Sequence, residues 1–109
     1  MTSKRDRIRM FNDQLRQHHR GGTIVVTSGI QALGYDVIQQ LDEALAKFDR
    51  FDDGNDPYGE HDFGSVTVDG QTVFFKIDYY DLDLSGGSPD PSDPTVTRRV
   101  MTIMLADEY

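Results

Sequence analysis

His61 stands between Glu60 and Asp62 in the stretch "NDPYGEHDFG", residues 55–64, the densest chemistry in this chain of 109 residues. A carboxylate can orient an imidazole and favour its protonated form, and a neighbouring Tyr or Lys can donate to a developing oxyanion. Which groups His61 meets depends on the strands downstream. "SVTVDGQTVFFKIDYYD" alternates about Asp69-Gly70, a favoured two-residue hairpin turn. That turn sets Val66 opposite Val73 and Gly64 opposite Phe75. Continued upstream, it sets Phe63 opposite Lys76 and His61 opposite Asp78. Alternation then puts Thr72, Phe74, Lys76, Asp78 and Tyr80 on one face. The expected acid–base cluster is therefore His61, Asp78 and Tyr80, with Lys76 beside them. A one-residue bulge would break it.

The same stretch also has a purely structural reading. Asn55, Asp56, Pro57 and Gly59 are turn formers. A His–Asp pair across strands can simply satisfy itself. Gly64 suits a site crossed by another stretch of chain or by an aromatic ring.

Other chemistries find little support. The chain has no cysteine, which removes disulfides, thiol nucleophiles and cysteine zinc sites. Asp56, Glu60, His61 and Asp62 are close in sequence but lack a paired-His spacing. His18 and His19 diverge on a helix. Asp81-x-Asp83-x-Ser85-Gly86 opens like a calcium loop, yet Ser92 occupies the place of its closing acid. Neither Gly21-Gly22 nor Gly86-Gly87 leads into a phosphate-binding signature, and no G-x-S-x-G elbow surrounds Ser28 or Ser65. No metal and no cofactor is expected.

Charge points elsewhere. The net charge is −8, unevenly spread. Residues 1–20 hold six Lys/Arg against two acids, whereas residues 36–93 hold fifteen acids against three bases. Residues 49–62 carry Asp49, Asp52, Asp53, Asp56, Glu60 and Asp62 against Arg50 alone. Residues 78–93 carry Asp78, Asp81, Asp83, Asp90 and Asp93 with no base. An acidic surface disfavours nucleic acid and anionic membrane and favours basic partners. Acidity also serves solubility alone.

The elements expected to position these groups form an α+β fold, two helices packed on a small, mainly antiparallel sheet with a central β-hairpin, as one domain over residues 1–109. Ser3 caps a first helix ending near His19, with Ile8, Phe11 and Leu15 on one face. Arg5, Arg9, Arg16 and Arg20 form a second stripe, which would face solvent if it bound nucleic acid directly. "TIVVT", residues 23–27, reads as a buried strand, and "SGIQALG" as a turn with a tight helical coil. Val37, Ile38, Leu41, Ala44, Leu45 and Phe48 mark the core face of a second helix over about 35–48. The segment "TVTRRVMTIML" fits either a helix begun at Asp93-Pro94 or, from its β-branched content, a strand; the strand is preferred. With no long apolar run or signal segment, the chain reads as cytoplasmic.

The strings "NDPYGEHDFG", "KIDYYD", "SPDPSDP" and "TRRVMTIMLADEY" resemble a small bacterial domain family of unknown function, found in chromosomes and on mobile elements. The resemblance implies a compact domain and carries over no catalytic residue. The mobile-element setting it implies suits small acidic proteins that block host nucleases or CRISPR complexes. The leading expectation is a non-enzymatic acidic inhibitor or regulator. It would bind the basic nucleic-acid-contacting surface of a partner protein, such as a defence nuclease or CRISPR complex. The expected binding residues are Asp52, Asp53, Asp56, Glu60, Asp62, Asp81, Asp83, Asp90 and Asp93. The alternative is a small enzyme using His61, Asp78 and Tyr80. A homodimer is compatible with a basic helix on an acidic body.

Overall fold

The computed structural model describes residues 2–109. It has an α+β architecture, with helices against one face of a four-stranded mixed sheet ordered β1-β4-β3-β2. The elements are α1 (Lys4–His18), β1 (Thr23–Val26), α2 (Ser28–Gln31), α3 (Tyr35–Lys47), β2 (Phe63–Val68), β3 (Gln71–Tyr80) and β4 (Arg98–Leu105), closed by a 3₁₀ turn at Ala106–Glu108. Among the described residues no helix is long and apolar enough to cross a membrane.

Local chemistry sets the boundaries. The Ser3 side chain accepts from the Asp6 N–H at the start of α1, and His19, at φ 56°, turns left-handed to end it, two residues before the glycine pair expected to do so. The coil expected after β1 is the one-turn helix α2, capped by Thr27. Asp69 and Gly70 both have positive φ, as a type I′ hairpin requires. The hairpin register is the expected one, with Phe63 opposite Lys76, Gly64 opposite Phe75 and Val66 opposite Val73. The C-terminal segment is a strand. β4 lies antiparallel to β3 on one side and parallel to β1 on the other.

The core lies between the sheet and the helices. Val73, Phe75 and Ile77 of β3 and Met101 and Ile103 of β4 meet Leu15 of α1, Ile30 of α2, and Leu41 and Leu45 of α3. Phe48, just past α3, sets its ring edge-on to Phe75 with centroids 5.4 Å apart. Gly64 lies under both rings, as its place in the hairpin suggested. A Cβ there would fall 2.5 Å from Phe75 Cε1 and 2.6 Å from Phe48 Cε1. Gly64→Ala should therefore overpack the core and cost about 1–3 kcal/mol, seen as a lower urea midpoint at unchanged slope.

Candidate functional site

The sheet register decides what can meet at the site. β2 starts at Phe63, opposite Lys76, and β4 starts at Arg98, opposite Tyr80, the last residue of β3. Segments 48–62 and 81–97 therefore leave the sheet at one end, and the Asp69-Gly70 turn lies at the other. Both acidic connections share a common tip.

That tip is built largely of side chains bonded to backbone. Asp52 Oδ1 accepts from the N–H groups of Gly54 and Asn55. Asp81 accepts from the N–H and hydroxyl of Ser85. Asp90 Oδ1 accepts from the N–H and hydroxyl of Ser92 at 3.1 and 2.6 Å. Asp93 Oδ1 does the same for Thr95 at 2.9 and 2.6 Å. The string "DPSDPT" is thus two successive Asp-Pro-Ser/Thr turns. These bonds hold the Asp81, Asp90 and Asp93 carboxyls below the usual carboxylate range: first through the Ser85 N–H for Asp81, the Ser92 hydroxyl for Asp90 and the Thr95 hydroxyl for Asp93. Asp53 and Asp83 are exposed on the same two segments.

Of the nine expected binding residues, two are engaged inside the protein and a third is half-buried. Asp56 is buried, and its Oδ1 accepts from the N–H groups of Glu60 and His61 at 2.9 and 3.0 Å. Glu60 Oε1 accepts from the Tyr79 hydroxyl at 2.9 Å. Asp62 is partly buried, and that burial pushes its carboxyl above the usual range, helped by Glu60, Asp56 and Asp78. The remaining six, Asp52, Asp53, Asp81, Asp83, Asp90 and Asp93, stay at the surface of the tip; Lys4 reaches Asp90 at 3.7 Å.

The expected meeting of His61 with Asp78 and Tyr80 does not occur. The Ile77 N–H donates to Asp62 O at 2.8 Å, beyond the start of β2. His61 then takes φ 58°, which ends strand alternation and sends its ring to the helix-covered face. There it stacks on Phe51 at 3.8 Å, with Nδ1 2.8 Å from Asp13 Oδ1 and Nε2 3.8 Å from Asp56 Oδ2. Asp78 and Tyr80 follow β3 alternation onto the uncovered face, where Asp78 pairs with Lys76 at 3.3 Å. The depression beside His61 is lined by Asp13, Arg16, Gln17, Phe48, Asp49 and Phe51, with no hydroxyl or lysine to serve as nucleophile or proton donor. Among the described residues no group of three or more His, Cys, Asp or Glu side chains is arranged to hold a metal ion.

Two buried arginines escaped sequence reading. Arg16, expected in a solvent-facing stripe, is 2% exposed. Its Nη1 meets Asp13 Oδ1 at 2.9 Å, its Nε donates to Leu45 O at the end of α3 at 3.2 Å, and its guanidinium lies over Phe51 and Phe75. The basic stripe is therefore not one continuous surface for nucleic acid. Arg99 is also buried, between Phe11 and Tyr79. Its Nε donates to Asn12 Oδ1 at 2.7 Å, Asn12 Nδ2 donates to the Tyr79 hydroxyl at 2.7 Å, and that hydroxyl donates to Glu60. Asn12 Nδ2 also reaches Glu60 O, and Arg99 Nη2 reaches Pro91 O, so one cluster grips both acidic segments. Burial raises the Tyr79 hydroxyl pKa far above normal and lowers that of Arg99. Asn12 had a signal: it continues the Ile8–Leu15 face of α1. The arginines had none, because what buries them is contributed by distant segments.

Tyr79→Phe leaves the Glu60 carboxylate without its donor and should cost about 1–3 kcal/mol, with faster proteolysis within residues 49–62 than elsewhere. Asp62→Asn should stabilise at neutral pH. The raised folded pKa of Asp62 means that stability falls as pH rises from its unfolded value of 3.8 through the folded one. The gain from Asp62→Asn should therefore vanish below that window, in urea titrations run at stepped pH.

A family model described as "Protein of unknown function (DUF3768)" matches residues 26–108. Asn12, Asp13 and Arg16, which pack against the motif, lie outside that span. No curated protein and no solved structure matches the chain.

Proposed function

The chain belongs to the family DUF3768, whose description assigns no activity, and we propose that it is a non-enzymatic acidic binder of the basic, nucleic-acid-contacting surface of a partner protein, acting as an inhibitor or regulator. The observation that carries this reading is the shared exit of segments 48–62 and 81–97 from one end of the sheet. It gathers Asp52, Asp53, Asp81, Asp83, Asp90 and Asp93 on one tip. DNA offers roughly one charge per 1.7 Å of its axis, and a rigid array of carboxylates competes for the same Lys and Arg side chains. Rigidity matters because a preorganised array loses less entropy on binding, and the aspartate–backbone turns supply it. Long-range attraction speeds encounter at low salt. The exposed ring of Tyr58, 72% accessible on the same tip, offers an aromatic contact of the kind that anchors interfaces.

The alternative enzyme reading gains no such support. His61 faces carboxylates at both ring nitrogens and lies on the opposite face from Asp78 and Tyr80.

The test separates charge from shape. Asp→Asn keeps the acceptor oxygen that each turn uses and removes the charge. The wild type and a variant carrying Asp52→Asn, Asp53→Asn, Asp81→Asn and Asp83→Asn would serve as paired baits in nuclease-treated bacterial lysate. The wild type should retain basic nucleic-acid-binding proteins that elute as salt rises and displace DNA from them in a gel shift. The variant should keep a native circular dichroism spectrum and lose those partners. Equal capture by both baits at low salt would end the proposal.

A further inference from the structure

We propose that β1 pairs antiparallel with β1 of a second copy of this chain, across a two-fold axis at Val25, joining the two four-stranded sheets into one. This goes beyond the acidic tip and does not depend on it.

The free edge of β1 is the first observation. β1 is the outer strand, parallel to β4. The Thr27 N–H, just past β1, donates to Ile103 O of β4 at 3.1 Å. Alternation therefore turns the backbone groups of Thr23 and Val25 toward β4 and those of Ile24 and Val26 outward. An open edge of this kind is a template for another strand, and proteins that keep it single guard it with Lys, Pro or a bulge. Thr23–Val26 carries none of these, and Val25 is 44% exposed.

Apolar surface continues inward from that edge. A cavity of about 270 Å³ is walled by Ile24 and Val26 together with Ile30, Ile38, Leu41 and Leu45. The side chains that accompany the two outward-facing residues thus border unfilled apolar space.

Charge selects the occupant and its direction. β1 is preceded by exposed Arg20, while His19 before it is engaged by Asp42, Nε2 to Oδ1 at 2.7 Å. It is followed by Thr27, whose hydroxyl donates to Glu108 Oε1 at 2.6 Å, while Glu108 Oε2 accepts from the Gly29 N–H. These bonds, the Thr27 hydroxyl foremost, hold the Glu108 carboxyl below its usual range. One end of the strand is therefore basic and the other acidic. Antiparallel pairing with a second copy sets each basic end against an acidic end, twice. Ile24 of each copy then lies opposite Val26 of the other as a hydrogen-bonded pair, and the two Val25 side chains face each other on the uncovered side of the sheet.

The wild-type chain, 12.4 kDa by composition, should sediment at twice that mass. Val25→Lys should sediment as a monomer, and Arg20→Glu should weaken self-association about tenfold. The absence of cysteine permits a register test that does not rely on Val25→Lys folding. Facing residues of a non-hydrogen-bonded antiparallel pair have Cα atoms about 4.5 Å apart, within disulfide reach. Val25→Cys should give a covalent dimer under mild oxidation, and Thr67→Cys, exposed on the other edge strand, should not. A wild type that stays monomeric up to millimolar concentration would overturn the proposal. So would a folded Val25→Lys that remains dimeric, or cross-linking at Thr67→Cys in place of Val25→Cys.

Discussion

A buried guanidinium with no carboxylate beside it is the constraint around which this fold is arranged. Arg99 lies between Phe11 and Tyr79, and among the described residues it has no ion-pair partner. Leaving a cation so placed without hydrogen bonds would cost several kcal/mol. The solution is a directed relay: Arg99 donates to Asn12, Asn12 to Tyr79, and Tyr79 to Glu60. Each link comes from a different element, so α1, β3, β4 and the "NDPYGEHDFG" segment are held by one set of bonds. Asn12 is the pivot, because its amide alone accepts at one atom and donates at the other.

Arg16, one helical turn after Asn12, does a parallel job by pairing with Asp13 and reaching the end of α3. Asp13 in turn orients His61, which stacks on Phe51. The histidine that looks most like a catalyst is thus held by Asp13, Asp56 and Phe51, on the opposite face from Asp78 and Tyr80. The acidic loops divide by the same logic. Asp56 faces inward, Glu60 faces the relay and Asp62 is half-buried, while the aspartates of the Asp-Pro-Ser/Thr turns bond backbone and keep their charge at the surface.

Local pattern carried the hairpin, both long helices and the identity of the last strand as a strand. The Asp69-Gly70 turn dictated register as far as Phe63 because period-two alternation is rigid once a turn is placed. It failed two residues further on, at His61, where a left-handed backbone reverses the side chain's face. Nothing in a histidine announces positive φ. The parallel placement of β1 was equally hidden, since a short apolar strand does not reveal its neighbour. Gly64 was legible because its reason, a crossing ring, is a matter of space at one register position. The arginines were not, because a helical stripe of four looks solvated until the partners that bury one member are in place.

The order β1-β4-β3-β2 has a consequence for how the chain reaches its native state. Among the described residues of one copy, β1 finds its sheet neighbour in β4, Thr23 beside Val100 through Val26 beside Ile103. On a ribosome, residues 23–26 would emerge long before that neighbour exists. The β2–β3 hairpin, closed by a two-residue loop, forms from local contacts and can wait as a nucleus. Closing the sheet, by contrast, demands a loop that runs through α2, α3 and the whole hairpin, a slow step of high contact order. Until then an uncharged, β-branched segment stays unpaired, at the stage when nascent chains are most open to misassociation.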